Sequence, residues 1–306
     1  MKANKVVAGV GPALVDYINL VDEYPLAGGH AVVKKTMKMA GGAAANVIFG
    51  LSRFEVRCRF YSTVGRDKDA EFFKNSMNNV DLFLKTTHKE TGKVTIYVDR
   101  NGERTFFVHP NAAGNLRLTI KNRDVKKIDF FYLDPFPSNR SFDIHLKLAR
   151  RAKRFKKFVI LNPGFPYVSL GFKKLSRLLR YVDMVIMSSD EFSKLSVDEK
   201  KFLEYVEYLV VTLGKRGSMC ITNSEKLKVI KKPAFKTTIV DTTGAGDAFA
   251  AGFIYGFING FKIETCLLLG NFVASYNIKH YGARNFPSKV EVDRFLFSIQ
   301  GGKHEG

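Results

Sequence analysis

Residues Ile239 to Gly256 read IVDTTGAGDAFAAGFIYG. The β-branched run Thr237-Thr238-Ile239-Val240 that leads into them predicts a strand. A turn follows through Asp241-Thr242-Thr243-Gly244-Ala245-Gly246-Asp247. From Ala248 the chain becomes a small, apolar helix with Phe249, Phe253 and Phe257 on one face. A glycine-bearing turn that opens a helix aims backbone N–H groups at whatever lies in front of it, and the helix dipole adds partial positive charge. Such a place suits a phosphate or a developing anion. Gly244 and Gly246 have no Cβ and let the backbone come close. Asp247 falls in the first helical turn. It can cap that helix, or it can take a proton from a hydroxyl while the amides hold a phosphoryl group. These residues alone leave both roles open.

The chain before this stretch carries a second glycine-bearing helix entry. Val6 to Val10 is an apolar run ending in Gly9-Val10-Gly11-Pro12 and reads as a buried first strand. Leu14 stands where a dinucleotide fingerprint needs its third glycine, and Pro12 spoils the helix entry, so a Rossmann cofactor site is not indicated. Asp16 sits within Leu14-Val15-Asp16-Tyr17-Ile18, which alternates like a strand. An extended stretch from Val32 to Met39 leads to Ala40-Gly41-Gly42-Ala43-Ala44-Ala45-Asn46. A helix then runs from Ala43 to Phe54 with Val47, Ile48 and Leu51 as its apolar stripe. Asn46 lies in its first turn, where an amide ordinarily satisfies backbone groups. Asp67 to Asn79 reads as another helix. Lys93 to Val98 and Arg104 to Val108 alternate on either side of Asn101-Gly102, a strong hairpin signal. With the extended pieces around 14–20 and 32–39, the hairpin forms a small sheet off the main body.

From Ile128 the rhythm becomes strand, helix, strand, helix. Ile128–Leu133, Phe158–Leu161, Val182–Met187 and Tyr208–Thr212 are apolar strands, and Phe142–Lys157 and Phe172–Tyr181 are helices between them. Continuous apolar strands alternating with helices mean a parallel sheet covered on both faces. The fold class expected is therefore α/β, a doubly wound, mostly parallel sheet with a small extra sheet. Ligands bind such sheets at the carboxyl ends of the strands, the edge that Asp134, Asn162, Ser188 and Thr212 share. Thr212-Leu213-Gly214-Lys215-Arg216-Gly217 is a tight turn into Ser218–Ile221. Cys266–Lys279 reads as a helix that contains Asn271. A turn at Tyr281–Arg284, a last helix over Val290–Ile299 and a frayed tail over 301–306 follow.

Asp241–Asp247 resembles the C-terminal signature of the ribokinase-like (PfkB) carbohydrate and nucleoside kinase family, and Ala40–Asn46 resembles its N-terminal signature. The resemblance covers nearly the whole chain, as one kinase domain over 1–306 with a lid inserted from about 14–39 and 93–110. It implies a ribokinase-like fold and a kinase of the archaeal nucleoside or sugar type. Such an enzyme transfers the γ-phosphate of ATP to a hydroxyl of a nucleoside or ribose-like sugar, with Mg²⁺. By the same resemblance Asp247 is the general base, and Gly244, Ala245 and Gly246 form the anion hole. Asp16, Gly41, Gly42, Asn46 and Asn115 line the acceptor site with Asp247. Thr212, Gly214, Gly217 and Asn271 contact the nucleotide, and Glu191 acts on the metal through water. Ala43 stands where sugar kinases often carry Lys, and Ser188 where the family's metal motif has Asn. In several members the turn matching Tyr281–Arg284, with the strand before Asp241, holds a monovalent cation. The lid covers the sugar and often mediates homodimer contacts. A phosphosugar or other carbohydrate acceptor, an ADP-dependent donor, and a non-catalytic sensor on the same fold are the rival readings.

Composition narrows the classes further. The 306 residues are 45% hydrophobic and 25% charged, ordinary for a soluble globular chain long enough for one large α/β core. Cys58, Cys220 and Cys266 lie far apart without metal-ligand spacing and read as free buried thiols of a reducing cytosol. The net charge of +20 is spread over the whole length. The cluster Lys147, Arg150, Arg151, Lys153, Arg154, Lys156 and Lys157 reads as a solvated helix face rather than a nucleic-acid site. The longest apolar run, Ala248–Ile258, is too short and glycine-rich to span a bilayer. The protein expected is cytoplasmic, with no membrane or nucleic-acid partner. No Gly-x-x-x-x-Gly-Lys-Ser/Thr occurs, so the Asp241–Asp247 turn is the one credible phosphate device.

Overall fold

The computed structural model describes residues 5–114, 118–223 and 227–301. The first part of the chain forms β1 (Val6–Val10), β2 (Leu14–Leu20), β3 (Lys35–Gly41), α1 (Ala43–Arg53), β4 (Arg57–Val64), α2 (Lys68–Asn75), β5 (Val80–Thr86), β6 (Gly92–Val98) and β7 (Arg104–His109). The middle forms α3 (Asn111–Gly114), α4 (Asn122–Lys126), β8 (Phe130–Leu133), α5 (Ser141–Arg154), β9 (Phe158–Leu161), α6 (Gly164–Val168), α7 (Phe172–Leu179), β10 (Met184–Ser188), α8 (Ser189–Lys194) and α9 (Glu199–Phe202). The last part forms β11 (Tyr208–Thr212), β12 (Ser218–Asn223), β13 (Leu227–Lys232), α10 (Ala245–Ile258), α11 (Ile263–Asn277) and α12 (Lys289–Gly301).

Nine strands make one sheet in the order β13-β12-β11-β10-β9-β8-β1-β4-β5. Every pair from β11 to β5 is parallel, and β12 and β13 add an antiparallel edge. Two apolar clusters cover its faces. One is built around α1, α10 and α11 with Ile48, Leu51, Phe249 and Phe253. The other is built around α5 and α7 with Phe142, Leu148, Leu175 and Leu178. This is the doubly wound sheet expected from the strand–helix rhythm. The chain leaves β1 toward β4 and β5 on one side and returns through β8 on the other, so the strand order switches at β1. Helix α1 begins above that switch point, where open α/β sheets bind ligands.

The second sheet is β3-β2-β6-β7. Directly opposed residues share a face, so Asp16, Ile18, Met37, Met39, Val94, Ile96 and Phe106 lie on one side and Tyr17, Lys38 and Lys93 on the other. Asp69 of α2 ties that second side to the main body. It accepts from the Tyr17 hydroxyl at 2.7 Å and pairs with Lys38 at 2.7 Å.

Some expectations change. Thr237–Val240 forms no strand. Val240 N–H and Asp241 N–H both donate to Ile278 O at the end of α11, and Ile239 and Val240 stay exposed, so β-branching alone finds no strand to pair with. The outer strands β5 and β13 are not among the expected elements; they form the two edges of the sheet and turn charged residues such as Asp81, Lys228 and Lys231 to solvent, a usual feature of sheet edges. Helix α12 reaches Gly301, so the first residue of the expected tail is helical. Residues 302–306 and Asn115 lie outside the described residues. The lysines and arginines of α5 are largely exposed while Phe142, His145, Leu148 and Ala152 are buried, so that charge run is an outer face. Cys58, Cys220 and Cys266 are free and buried. No helix among the described residues is long and apolar enough to cross a membrane.

Candidate active site

The turn before α10 is held by side chains from three directions. Asp241 is buried, and its carboxylate accepts from Thr243 N–H at 2.7 Å and from Gly282 N–H at 2.8 Å. Asn277 of α11 donates to Thr243 O at 2.8 Å. Arg104 reaches over from β7 to the Asp241 carboxylate. Gly244 caps α10 with φ of 72°, a left-handed backbone natural to glycine, and a Cβ there would run into Ala283. Of the three expected anion-hole residues, Ala245 turns its N–H back onto Thr242 O at 3.2 Å. Gly246 faces open space, and no side chain caps α10. The head of the helix therefore keeps backbone donors uncapped, as an anion site requires.

Asp247 does not cap its own helix. Its Oδ2 accepts from Asn46 Nδ2 at 2.8 Å, which joins α10 to α1. Asn46 Oδ1 in turn accepts from Arg284 Nε at 2.9 Å. An arginine can only donate, so this bond fixes the amide: its oxygen faces Arg284 and its nitrogen faces Asp247. The Arg284 guanidinium also donates to Ser76 Oγ at 2.9 Å and lies between the rings of Phe49 and Phe73, 5.3 and 5.6 Å from their centres. Its Nη2 is buried without a protein partner among the described residues.

Burial lifts the Asp247 carboxyl to about 7, against the pull of the Asn46 amide and the Arg284 charge. Asp16, on the second sheet, is lifted to about 6 by burial and held back by Arg284. Arg284 itself comes down to about 10 through burial, opposed by Asp16 and Asp247, and stays cationic at neutral pH. Gly41 is where Asp16 needs space: a Cβ there would lie within 2.7 Å of the Asp16 carboxyl carbon. Gly42 starts α1 with φ of 100° against the carbonyl of Pro12. Asp16, Gly41, Gly42, Asn46 and Asp247 thus come together, from the second sheet and two helices.

Asp134 ends β8 beside them. It is buried, accepts from Ala44 N–H at 3.4 Å and from Asn162 Nδ2 at 3.3 Å, and is pushed well above the carboxylate range by burial and then by the charges of Asp247 and Glu191. Glu191 closes a capping box with Ser188, taking Ser188 N–H on Oε2 at 2.8 Å while Ser188 Oγ accepts from Glu191 N–H. Asp190 is exposed. Among the described residues no three histidine, cysteine or acidic side chains form a metal cage. Mg²⁺ commonly takes one or two carboxylates together with substrate phosphates, and that pattern fits an edge where Asp134 feels the charges of Asp247 and Glu191.

On the far side of the turn a cleft of about 450 Å³ is lined by Thr212, Gly214, Gly217, Gly246, Phe249 and Asn271, among others. It brings together all four residues expected on the nucleotide side. Asn271 serves as wall rather than as a free contact, since its Nδ2 donates to Lys232 O and Pro233 O at 3.2 and 2.9 Å. The sequence assigns Arg284 only a place in the Tyr281–Arg284 turn, Arg104 no site role, and Asp134 only a place on the ligand-binding strand edge. A signal existed for the first: two acids held in apolar surroundings call for a cation, and Arg284 follows a Gly-Ala turn.

The profile of the family described as "pfkB family carbohydrate kinase" matches residues 4–290, and the chain belongs to that family. It is 28% identical over 294 residues to a nucleoside kinase of Methanocaldococcus jannaschii, covering 92% of this chain and 94% of the relative. It is 30% identical over 254 residues to an uncharacterized sugar kinase of Archaeoglobus fulgidus, covering 79% of this chain and all of the relative. The crystal structure of the M. jannaschii nucleoside kinase superposes with a TM-score of 0.83 at 25% identity, covering 96% of this chain and 98% of that one. The Thermotoga maritima ribokinase structure superposes with a TM-score of 0.82, covering 95% and 99%.

Proposed function

We propose that the chain transfers the γ-phosphoryl group of ATP to a hydroxyl of a nucleoside or ribose-like sugar. The observation that carries this reading is the Asn46–Asp247 pair at the head of α10. It sets a carboxylate of raised affinity for protons beside uncapped helix amides. Asp247 takes the acceptor's proton as the acceptor oxygen bonds to phosphorus and the bond to the β-phosphate oxygen breaks, with ADP leaving. A base that titrates near the working pH is efficient, typically contributing about 10²–10⁴ in rate. The amides of Gly244 and Gly246, with Ala245 N–H turned onto Thr242 O, receive the transferring oxygens. Glu191, through water, and Asp134 would hold Mg²⁺ at the strand edge, where it would supply charge neutralisation for the transfer.

Asp16 orients the acceptor, since a carboxylate can accept two hydroxyls at once. Arg284 Nη2 is a further donor for it. The apolar face that carries Asp16 includes Ile18, Val94 and Ile96, and Phe106 on it is 55% exposed. An aromatic ring and aliphatic side chains beside a diol-binding acid favour a nucleobase attached to the sugar. This supports a nucleoside first, as in the archaeal nucleoside kinase relatives. The second sheet acts as the lid that excludes water. Its outer surface is the proposed homodimer contact, in a cytoplasmic enzyme.

The test is an acceptor panel of nucleosides, free pentoses and hexoses, and sugar phosphates with ATP or ADP and Mg²⁺, run beside Asp247→Asn. Turnover of nucleosides that vanishes in the variant is expected. Turnover surviving the substitution removes Asp247 as base. Preference for a sugar phosphate removes the nucleoside reading, and binding without turnover for every pair points to a sensor.

A further inference from the structure

Arg104 opens β7, the outer strand of the second sheet, yet its side chain ends in the turn before α10. One guanidinium nitrogen donates to Thr243 Oγ1 at 2.5 Å and the other to the Asp241 carboxylate. The pair is well shielded, with the Asp241 side chain only 5% exposed and that of Arg104 23%. Asp241 Oδ1 takes Arg104 and Thr243 N–H, while Oδ2 takes Gly282 N–H. Burial raises the Asp241 carboxyl, but the hydrogen bonds from Gly282 and Thr243, with the Arg104 charge, outweigh it and leave the group below the ordinary value. Asp241 is thus an anion, buried a few residues from helix amides that are to receive another anion.

We propose that Arg104 is the built-in counter-cation of the phosphate turn, carried into it by the second sheet in place of a monovalent ion. Three considerations lead there. A buried carboxylate without a partner costs several kcal/mol, and it would also repel an incoming phosphoryl group. A guanidinium cannot lose its proton, and its planar fork spans two groups at fixed spacing. Here it spans Asp241 and Thr243, the two ends of the bend that sets the direction of the amides after it. A potassium or sodium ion on the same carboxylate meets two oxygens already committed to Arg104 and two N–H groups. The residues present therefore do not fit the monovalent cation that the sequence resemblance implied. A geometric consequence follows. The charge that completes the turn belongs to the acceptor-binding sheet, so the turn is neutralised only while that sheet is docked. Arg104 touches neither acceptor nor phosphate and is a positioning residue.

The proposal rests on the reading of the 241–247 turn as the phosphate site, so its test has one arm independent of turnover. The full chain, Arg104→Lys and Arg104→Gln are compared in potassium, sodium and choline chloride at equal ionic strength. Melting temperature is read without substrates, and kcat and KM are read with ATP and the accepted nucleoside. The parent chain is expected to differ less than about twofold in kcat between salts, with one melting temperature. Arg104→Gln is expected to lose kcat by about tenfold to a hundredfold and to melt lower. It should then recover part of both losses in potassium or sodium but not in choline. Arg104→Lys should keep most of the rate. A parent chain strongly activated by potassium over choline overturns the proposal, as does an Arg104→Gln chain equal to the parent. A loss that neither lysine nor any cation restores also overturns it, since it marks a purely steric tie. If no acceptor is turned over, the phosphate reading has failed, and the melting arm still decides whether Arg104 is the counter-charge of Asp241.

Discussion

Asn46 and Asp247 lie 201 residues apart in sequence and are joined by a 2.8 Å hydrogen bond from the Asn46 amide to one oxygen of the Asp247 carboxylate. The bond favours the ionised carboxylate, and Arg284 locks the amide that makes it. Two family signatures therefore meet at one carboxylate oxygen. Asn46→Ala removes the donor. Asp247 should then hold its proton to higher pH, so the acid limb of kcat/KM shifts upward by about one unit and activity at pH 7 falls roughly fivefold. A pH–rate profile checks this. An unmoved limb would mean that the bond does not tune the base.

Asp247 also links activity to stability. Its folded-state value is about 7 against an ordinary 3.8, because burial penalises the charge. Between those values the folded chain binds a proton that the unfolded chain does not. Stability contributed by this group therefore falls as pH rises through the window, and the loss is complete above about pH 7. Asp247→Asn removes the ionisation and keeps an oxygen for the Asn46 amide. It should be inactive, yet melt higher than the parent at pH 8, by a few degrees for about 1–2 kcal/mol. The difference should close toward pH 4. Scanning calorimetry of both chains at pH 4, 6 and 8 checks sign and window.

Arg284 stands between Asp16 and Asp247 and lowers both. Arg284→Met keeps much of the apolar bulk between Phe49 and Phe73 but leaves two buried acids without their cation. Both acids should protonate at neutral pH. The acceptor's kcat/KM should drop about a hundredfold at pH 7 and recover partly at pH 9, while KM for ATP stays within about twofold. Arg284→Lys should rescue the charge but not the bond that orients the Asn46 amide, and so fall between. An equal loss for both substrates would point to global damage instead.

The architecture was largely readable because apolar strands and helices alternate from Ile128 onward and because two glycine-bearing helix entries fix where ligands approach. What escaped was carried by tertiary context. Thr237–Val240 has every local mark of a strand and forms none, since its backbone bonds to the end of α11. Strand β13, LKVIKK, hides in a lysine-rich pattern at the sheet edge. Arg104 lies in the hairpin 137 residues before Asp241, and no local pattern in the sequence pairs the two. Glu191 was read as a metal-side acid. Its capping box with Ser188 explains physically why serine serves where the motif has asparagine.

The proposed nucleotide cleft separates binding from chemistry. Asn271 holds the carbonyls of Lys232 and Pro233, fixing the loop that leads to Phe235 against α11. Asn271→Leu leaves both carbonyls unpaired, a cost of about 1–3 kcal/mol, and loosens one wall of the cleft. KM for ATP should rise about tenfold, with kcat and the acceptor's KM nearly unchanged. Steady-state kinetics in both substrates checks the split.

Gly41 and Gly42 are adjacent and should fail in different ways. A Cβ on Gly41 meets the Asp16 carboxylate, the far end of a flexible side chain that can swing aside. Gly41→Ala should fold with a melting temperature close to the parent's and lose acceptor affinity, with KM raised about tenfold or more, because the displaced carboxylate no longer faces the hydroxyls. Gly42 has φ of 100° and would drive its Cβ into the backbone carbonyl of Pro12, which cannot swing. Gly42→Ala should therefore cost stability, about 1–3 kcal/mol from backbone strain alone, and disturb the start of α1 that carries Asn46. Thermal melts and acceptor titrations of the two variants, side by side, check the contrast. An alanine at position 41 that leaves the acceptor's KM unchanged would remove Asp16 from the acceptor site.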